Sequence, residues 1–297
     1  MTRHIEIIEP GPLTLVEDLG RVGHLAVGVG RAGAADVGSY RLGGRLVGNV
    51  DGAAALEVTF GGLRLRAHGE VVVCLTGAPS PADVDGRVQA HATPFTLRDG
   101  QVLSLRMPLS GLRTYVTFRG GLAVPTVLGS ASTDTMSGLG PEPVRAGQVF
   151  GIGQRTEGLP HVDHAAVAPP PSGTVELAVL PGPRRDWFAE PERLAQAEWI
   201  VSGRSDRKGL RLDGEPIERH TEWRDIELPS EGMVRGAIQV PPSGLPVLFL
   251  NDHPVTGGYP VIGVVRSAHV DRAAQLQPGQ PVRFRWESLH PHRAFPS

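Results

Sequence analysis

The chain is 297 residues long, carries a formal net charge of −2 and contains one cysteine, Cys74. Such a length holds one large domain or two of about 150 residues, and two are expected. The near-neutral balance excludes a broad basic field for nucleic acid or an anionic membrane, and a lone cysteine excludes an intrachain disulfide.

No stretch approaches the roughly 18 apolar residues of a membrane span. The opening MTRHIEIIEPGP has no apolar signal core, so a cytoplasmic protein is the expectation. Cys74 lies in the apolar run 71–75 and reads as a small buried hydrophobe rather than a nucleophile. Lys208 is the only lysine and sits in SDRKGL, without the glycine spacing of a phosphate-binding loop. If ATP takes part, another polypeptide is expected to bring it.

In chain order, residues 5–16 read as a strand, a turn at Pro10-Gly11-Pro12 and a second strand. The segment 36–49 reads as a helix: Asp36 is placed as N-cap, Tyr40, Leu42, Leu46 and Val47 form one stripe, and Gly48-Asn49 ends it. Gly43 and Gly44 weaken that helix. From Ala54 to Phe118 short alternating or β-branched segments recur between Gly and Asp breakers, as in a barrel or sandwich. The stretch His161–Gly173, ending in three prolines, a serine and a glycine, reads as a linker. It suggests a first subdomain over 1–165, a linker over 166–173 and a second subdomain over 174–297. His161, Asp163 and His164 in that stretch lack a further ligand and read as exposed side chains, so no metal is expected.

Beyond the linker, 175–180 reads as a strand, 186–199 contains a second helix with Pro191 near its start, and 270–276 reads as a third. Strands continue from Trp199 to Trp286. The apolar runs 247–250 and 261–265 read as buried strands around the polar loop NDHPVTGGYPVI, Asn251–Ile262, which is longer than a tight hairpin needs. Long loops on rigid strands carry function disproportionately.

Three polar clusters lie at strand ends in this half: Ser205-Asp206-Arg207, the stretch Glu231–Gln239, and the Asn251 loop. A site for an amide or urea-like group needs acceptors for N–H, donors for C=O and little competing water. Asp206, Glu231 and Asp252 are the candidate catalytic acids, each able to serve as acid, base or clamp. Arg207, Gln239, Asn251, Thr256, Gly257 and Gly258 are the candidate substrate contacts, with Tyr259 as a wall. Any one acid taken alone fits a solvated turn or an ordinary ion pair equally well. A GVGRAG stretch, Gly28–Gly33, matches a dinucleotide fingerprint only weakly, because no βαβ alternation follows.

The blocks PGPLTLVEDLGR (10–21), GRAGAAD (30–36), LVGN (46–49), ALEVTFGG (55–62), FRGGLAVPTVLGS (118–130), SDRKGLRL (205–212), SEGMVRGAIQVPPSG (230–244) and DHPVTGGYPVI (252–262) stand in one order. In them the chain resembles the family of the C-type subunit of bacterial 5-oxoprolinase, also described as the biotin-dependent carboxyltransferase family or that of the second allophanate hydrolase subunit. The resemblance implies a mainly β fold of two barrel-like subdomains of cyclophilin-like topology with a few short helices.

It also implies an enzyme subunit acting with A- and B-type 5-oxoprolinase partners to open the lactam of 5-oxoproline to glutamate at the expense of ATP. Two alternatives stand beside this reading. One is carboxyl transfer from carboxybiotin to urea or a related amide, where biotin would enter. The other is a regulatory binding protein that antagonises a kinase inhibitor.

Overall fold

The computed structural model describes residues 3–158, 160 and 162–288. Two compact units are present: Met1–Ser172 with Ala274–Gln277, and Gly173–Ala273 with Pro278–Ser297. The chain is mainly β, and among the described residues the α-helices are Val37–Leu46, Arg193–Gln196 and Ser267–Ala273.

In the first unit a seven-stranded sheet runs in the order Leu122–Ala123, Val149–Ile152, His4–Pro10, Leu63–His68, Val102–Leu105, Ala82–Val84, Arg87–Gln89. A five-stranded sheet runs Leu13–Glu17, Ala55–Thr59, Arg113–Phe118, Val71–Gly77, Phe95–Leu97. Period-two alternation explains the packing: Leu63, Leu65 and Ala67 are buried while Arg64 between them is exposed. Those residues share one apolar core with Ile5, Ile7, Leu56, Val73, Leu75 and Phe118, so residues of both sheets contribute to it.

Arg113–Phe118 is buried at every position because the helix Val37–Leu46 covers its other face. That helix begins where the side chain of Asp36 accepts from the Ser39 amide, an N-cap as expected from the sequence. Gly43 sits where a Cβ would stand 2.8 Å from Thr117 and 2.9 Å from Thr76, so the glycine permits the helix to approach the sheet. Cys74 is fully buried, and burial pushes its thiol up to about 12.

A buried polar network fixes the loop ahead of this helix. Glu57 Oε2 accepts from the Ala35 amide at 2.9 Å and from the Tyr115 hydroxyl at 2.8 Å. Tyr115 in turn accepts from the Asp36 amide at 2.7 Å. Gln275 completes it: its Oε1 accepts from the amides of Leu112 and Arg113, both at 2.9 Å, and its Nε2 donates to Asp36 Oδ2 at 2.8 Å.

The second unit is a closed barrel of seven strands in the order Val175–Pro181, Val261–Val265, Ala237–Gln239, Val247–Phe249, Gly209–Asp213, Glu198–Val201, Pro281–Trp286. Parallel pairing of the first and last strands, from Val175 opposite Val282 to Val179 opposite Trp286, closes the ring and leaves it no edge. In Pro281–Trp286, Val282 and Phe284 point inward while Arg283 and Arg285 lie outside, where they pair with Glu198 and Glu176.

The segment 186–199 contains its helix as a single turn at Arg193–Gln196, preceded by a 3-10 turn at Arg185–Trp187 and followed by the strand Glu198–Val201. Pro191 separates the two turns, and Trp199, fully buried with its indole N–H on the Leu194 carbonyl at 3.0 Å, belongs to the barrel wall. The third helix spans Ser267–Ala273 rather than 270–276, since Gln275 is engaged in the first unit's network. Of the linker residues considered as metal ligands, His161 lies outside the described residues, and His164 Nδ1 contacts Thr93 Oγ1 at 2.9 Å.

Candidate functional site

The barrel places the three polar clusters of the second half through its strand pairings. Gly209–Asp213 pairs with Val247–Phe249, opposing Gly209 to Phe249. Just past that pair, the Leu250 amide reaches the Lys208 carbonyl at 3.0 Å and the Asp252 amide reaches the Arg207 carbonyl at 3.1 Å. The turn around Asp206 and the loop beginning at Asn251 are therefore neighbours by backbone register. The loop itself folds back: Thr256–Gly257 pairs with Glu231–Gly232 as a two-stranded ribbon, which brings the second cluster against the third.

Arg207 and Asp252 form a bidentate pair, Nε to Oδ2 at 3.0 Å and Nη2 to Oδ1 at 3.1 Å, with side chains 2% and 0% exposed. Two parallel N–H···O bonds match the guanidinium fork to the carboxylate and satisfy charges that burial would otherwise make costly. Asp252 is thus placed as a clamp that shapes the loop. Glu231 is held by Arg184, whose Nε donates to its Oε1 at 3.0 Å, so this acid also anchors a guanidinium. Asp206 is exposed, and its Oδ1 accepts from the amides of Lys208 at 2.8 Å and Gly209 at 3.1 Å, which closes its turn.

The candidate substrate contacts divide in the same way. Asn251 is buried, with Oδ1 accepting from Arg235 Nε at 2.6 Å, and Arg235 Nη2 continues to Asp271 at 2.6 Å. Gln239 is buried, and its Nε2 donates to the Tyr259 carbonyl at 3.0 Å. A Cβ on Gly257 would stand 2.5 Å from that nitrogen, so glycine is what lets the amide reach across the loop. Thr256 and Gly258 are exposed, and the Tyr259 side chain is 45% exposed. The outward tip therefore surrounds a buried polar base.

His253 is not among the residues that the sequence singles out, yet it is the group here best suited to move a proton. It is buried at 7% exposure beside Asp252 and stacks on Phe249 with centroids 5.8 Å apart. Its Nδ1 lies 2.8 Å from the Pro254 carbonyl. A carbonyl only accepts, so Nδ1 carries a proton, and in the neutral ring the lone pair is on Nε2. Burial pushes the imidazole below its ordinary value, with the Pro254 hydrogen bond a smaller opposing influence. The sequence signal is a histidine directly after the acid of a strand-end loop. Its burial depends on the long-range pairing of 207–209 with 249–252.

The residues 27–286 match the model of a family described as carboxyltransferase domain, subdomain A and B. The C-type subunit of 5-oxoprolinase from Escherichia coli (strain K12) is 35% identical over 288 residues, covering 94% of this chain and 90% of that protein. The protein of the same name from Haemophilus influenzae is 30% identical, covering 96% and 92%. A crystal structure of the K. lactis urea amidolyase superposes with a TM-score of 0.88 at 28% identity, covering 95% of this chain but 18% of that one. With a matched family model over most of its length and relatives of similar size at this identity, the chain belongs to the carboxyltransferase domain, subdomain A and B, family.

Proposed function

We propose that this chain is the C-type subunit of an ATP-dependent 5-oxoprolinase, acting with A- and B-type subunits to open the lactam of 5-oxoproline to glutamate. The observation that carries this reading is the buried His253, its Nδ1 on the Pro254 carbonyl, set on a loop clamped by Arg207–Asp252, in a chain that spans 90% of a relative named for that complex. A lactam is a stable amide: its opening needs a polarised carbonyl, a proton acceptor for the attacking water and exclusion of bulk solvent.

In this reading His253 Nε2 takes the proton from water, and Asn251, Gln239 and the Gly257–Gly258 tip orient the amide. Arg207, Asp252 and Glu231 hold that arrangement in place, and Asp206 shapes the adjoining turn. The single lysine, Lys208, lies in the turn closed by Asp206 and not in a glycine-spaced phosphate loop. ATP binding is accordingly assigned to the partner subunits. Copurification with those partners and assay of glutamate formed from 5-oxoproline and ATP tests the proposal. Activity that needs this chain and falls about 10²–10⁴-fold in His253→Ala is the expected result. Undiminished activity without the chain overturns it.

A second reading, carboxyl transfer to urea or a related amide with biotin on a carrier protein, is favoured by the family's description and by the likeness to urea amidolyase. Avidin-sensitive carboxylation of urea, with no glutamate formed from 5-oxoproline, would select it.

A further inference from the structure

The first unit contains a cavity of about 400 Å³ between the helix Val37–Leu46 and the loop that follows it, with Glu157 on its wall. Glu157 is fixed there by backbone pairing: its amide donates to the Gly48 carbonyl at 3.0 Å, and the Val50 amide donates to the Arg155 carbonyl at 3.1 Å.

The lining groups can be eliminated in turn. The Tyr40 hydroxyl donates to the Ala53 carbonyl at 2.7 Å. Asn49 is occupied at both ends, by the Phe118 carbonyl at 2.8 Å and the Gly120 amide at 2.7 Å. Arg41 and Asp51 neutralise each other at 2.9 Å. What remains is one cation, the Arg45 guanidinium, and one anion, the Glu157 carboxylate, both on exposed residues and neither with a side-chain hydrogen bond or ion pair among the described residues.

Gly44 supplies an independent observation. Its neighbour Gly43 is accounted for by the close approach of Thr76 and Thr117, but a Cβ on Gly44 would meet nothing within 4 Å. A glycine in the last turn of the helix that faces open space eases no packing, and here the open space is the cavity, which the missing side chain enlarges.

We propose that this cavity binds a free α-amino acid, with its carboxylate on Arg45 and its ammonium on Glu157. A bipolar ligand is complementary to these two charges of opposite sign, and the volume admits one of amino-acid size. The choice of L-glutamate as probe rests on the lactam-opening reading, which produces it; the site itself does not.

Calorimetric titration of the full chain with L-glutamate, in the absence of ATP and partners, is the test. Saturable binding is expected. It should weaken about tenfold or more in Arg45→Met and, separately, in Glu157→Gln, and it should be blocked in Gly44→Leu. N-acetyl-L-glutamate, which lacks the ammonium, should bind about tenfold more weakly than L-glutamate.

Gly44→Ala, with a methyl group that meets no atom, should melt no lower than wild type and shows that the position tolerates a side chain. If Gly44→Leu fails to fold, the two charge variants decide. No saturable binding of L-glutamate, or binding that survives Arg45→Met, overturns the proposal. Binding here while the assembled complex forms no glutamate would instead remove the lactam-opening reading and leave this site standing.

Discussion

At the scale of single residues, the second unit shows how a buried charge is made tolerable and how burial disfavours the charged form of a neighbouring imidazole. Arg207→Ala would leave the Asp252 carboxylate, 0% exposed, without its fork. The expected cost is about 3–5 kcal/mol, read as a lower denaturant midpoint with an unchanged slope. Arg207→Lys should recover part of it, since one ammonium cannot reproduce two parallel bonds.

His253 gives a pH prediction with a definite sign. Burial lowers its folded pKa below the ordinary 6.5, so the unfolded chain binds this proton more readily. Its contribution to stability is complete above pH 6.5 and is lost as pH falls through the lowered folded value. Titrating unfolding free energy against pH should show a shallower acid slope in His253→Gln than in wild type. His91 and His269, also pushed down by burial, add slope of the same sign.

Asp206, Arg207, Asp252 and Gln239 are legible in the sequence as polar residues at strand ends. The pairing of Arg207 with Asp252, 45 residues apart, is not, because a one-dimensional pattern does not show which strands become neighbours. His253 escapes the sequence for the same reason: its protonation follows from burial, and burial is a tertiary property.

At the scale of elements, local rules succeed where local chemistry decides. The helix Val37–Leu46 is readable from its cap and stripe because Asp36 bonds to an amide three residues away. In the segment 186–199 the helix is confined to one turn, because Pro191 divides what precedes it and Trp199 is recruited by the barrel.

The adjacent glycines of the first helix make a paired prediction. Gly43→Ala places a Cβ 2.8 Å from Thr117 Cγ2 and Oγ1, and the displaced sheet side chains should cost about 1–3 kcal/mol. Gly44→Ala meets open space and should instead stabilise by up to about 1 kcal/mol, the helix-propensity difference alone. Opposite shifts in melting temperature from neighbouring substitutions of one type would separate packing from propensity. Shifts of the same sign would show that the helix does not lie against Thr76 and Thr117 as described.

At the scale of the whole molecule, short strands between regular breakers make a mainly β chain legible, while the closure of the second barrel is not. Its ring is completed by parallel pairing of Val175–Pro181 with Pro281–Trp286, about a hundred residues downstream, and parallel partners leave no turn between them to be read. Nor does any local signal mark Ala274–Gln277, which belong to the first unit although the chain on both sides of them belongs to the second.

Those four residues supply Gln275, whose side chain accepts from the amides of Leu112 and Arg113 and donates to Asp36 and to the Arg113 carbonyl. With Gln275→Ala these buried groups lose their partners together, and at about 1–3 kcal/mol for each unsatisfied group the loss should exceed that of a typical single substitution. A fragment of residues 1–172 lacks the same side chain altogether. It should therefore exchange its Leu112 and Arg113 amide hydrogens far faster than the full chain, even where its apolar core forms. The Gln275→Ala chain should show the same two sites deprotected while amides in the strand Leu63–His68 stay slow. Equal protection at Leu112 and Arg113 in wild type, variant and fragment would mean that the excursion of the chain through 274–277 is not what secures that end of the sheet.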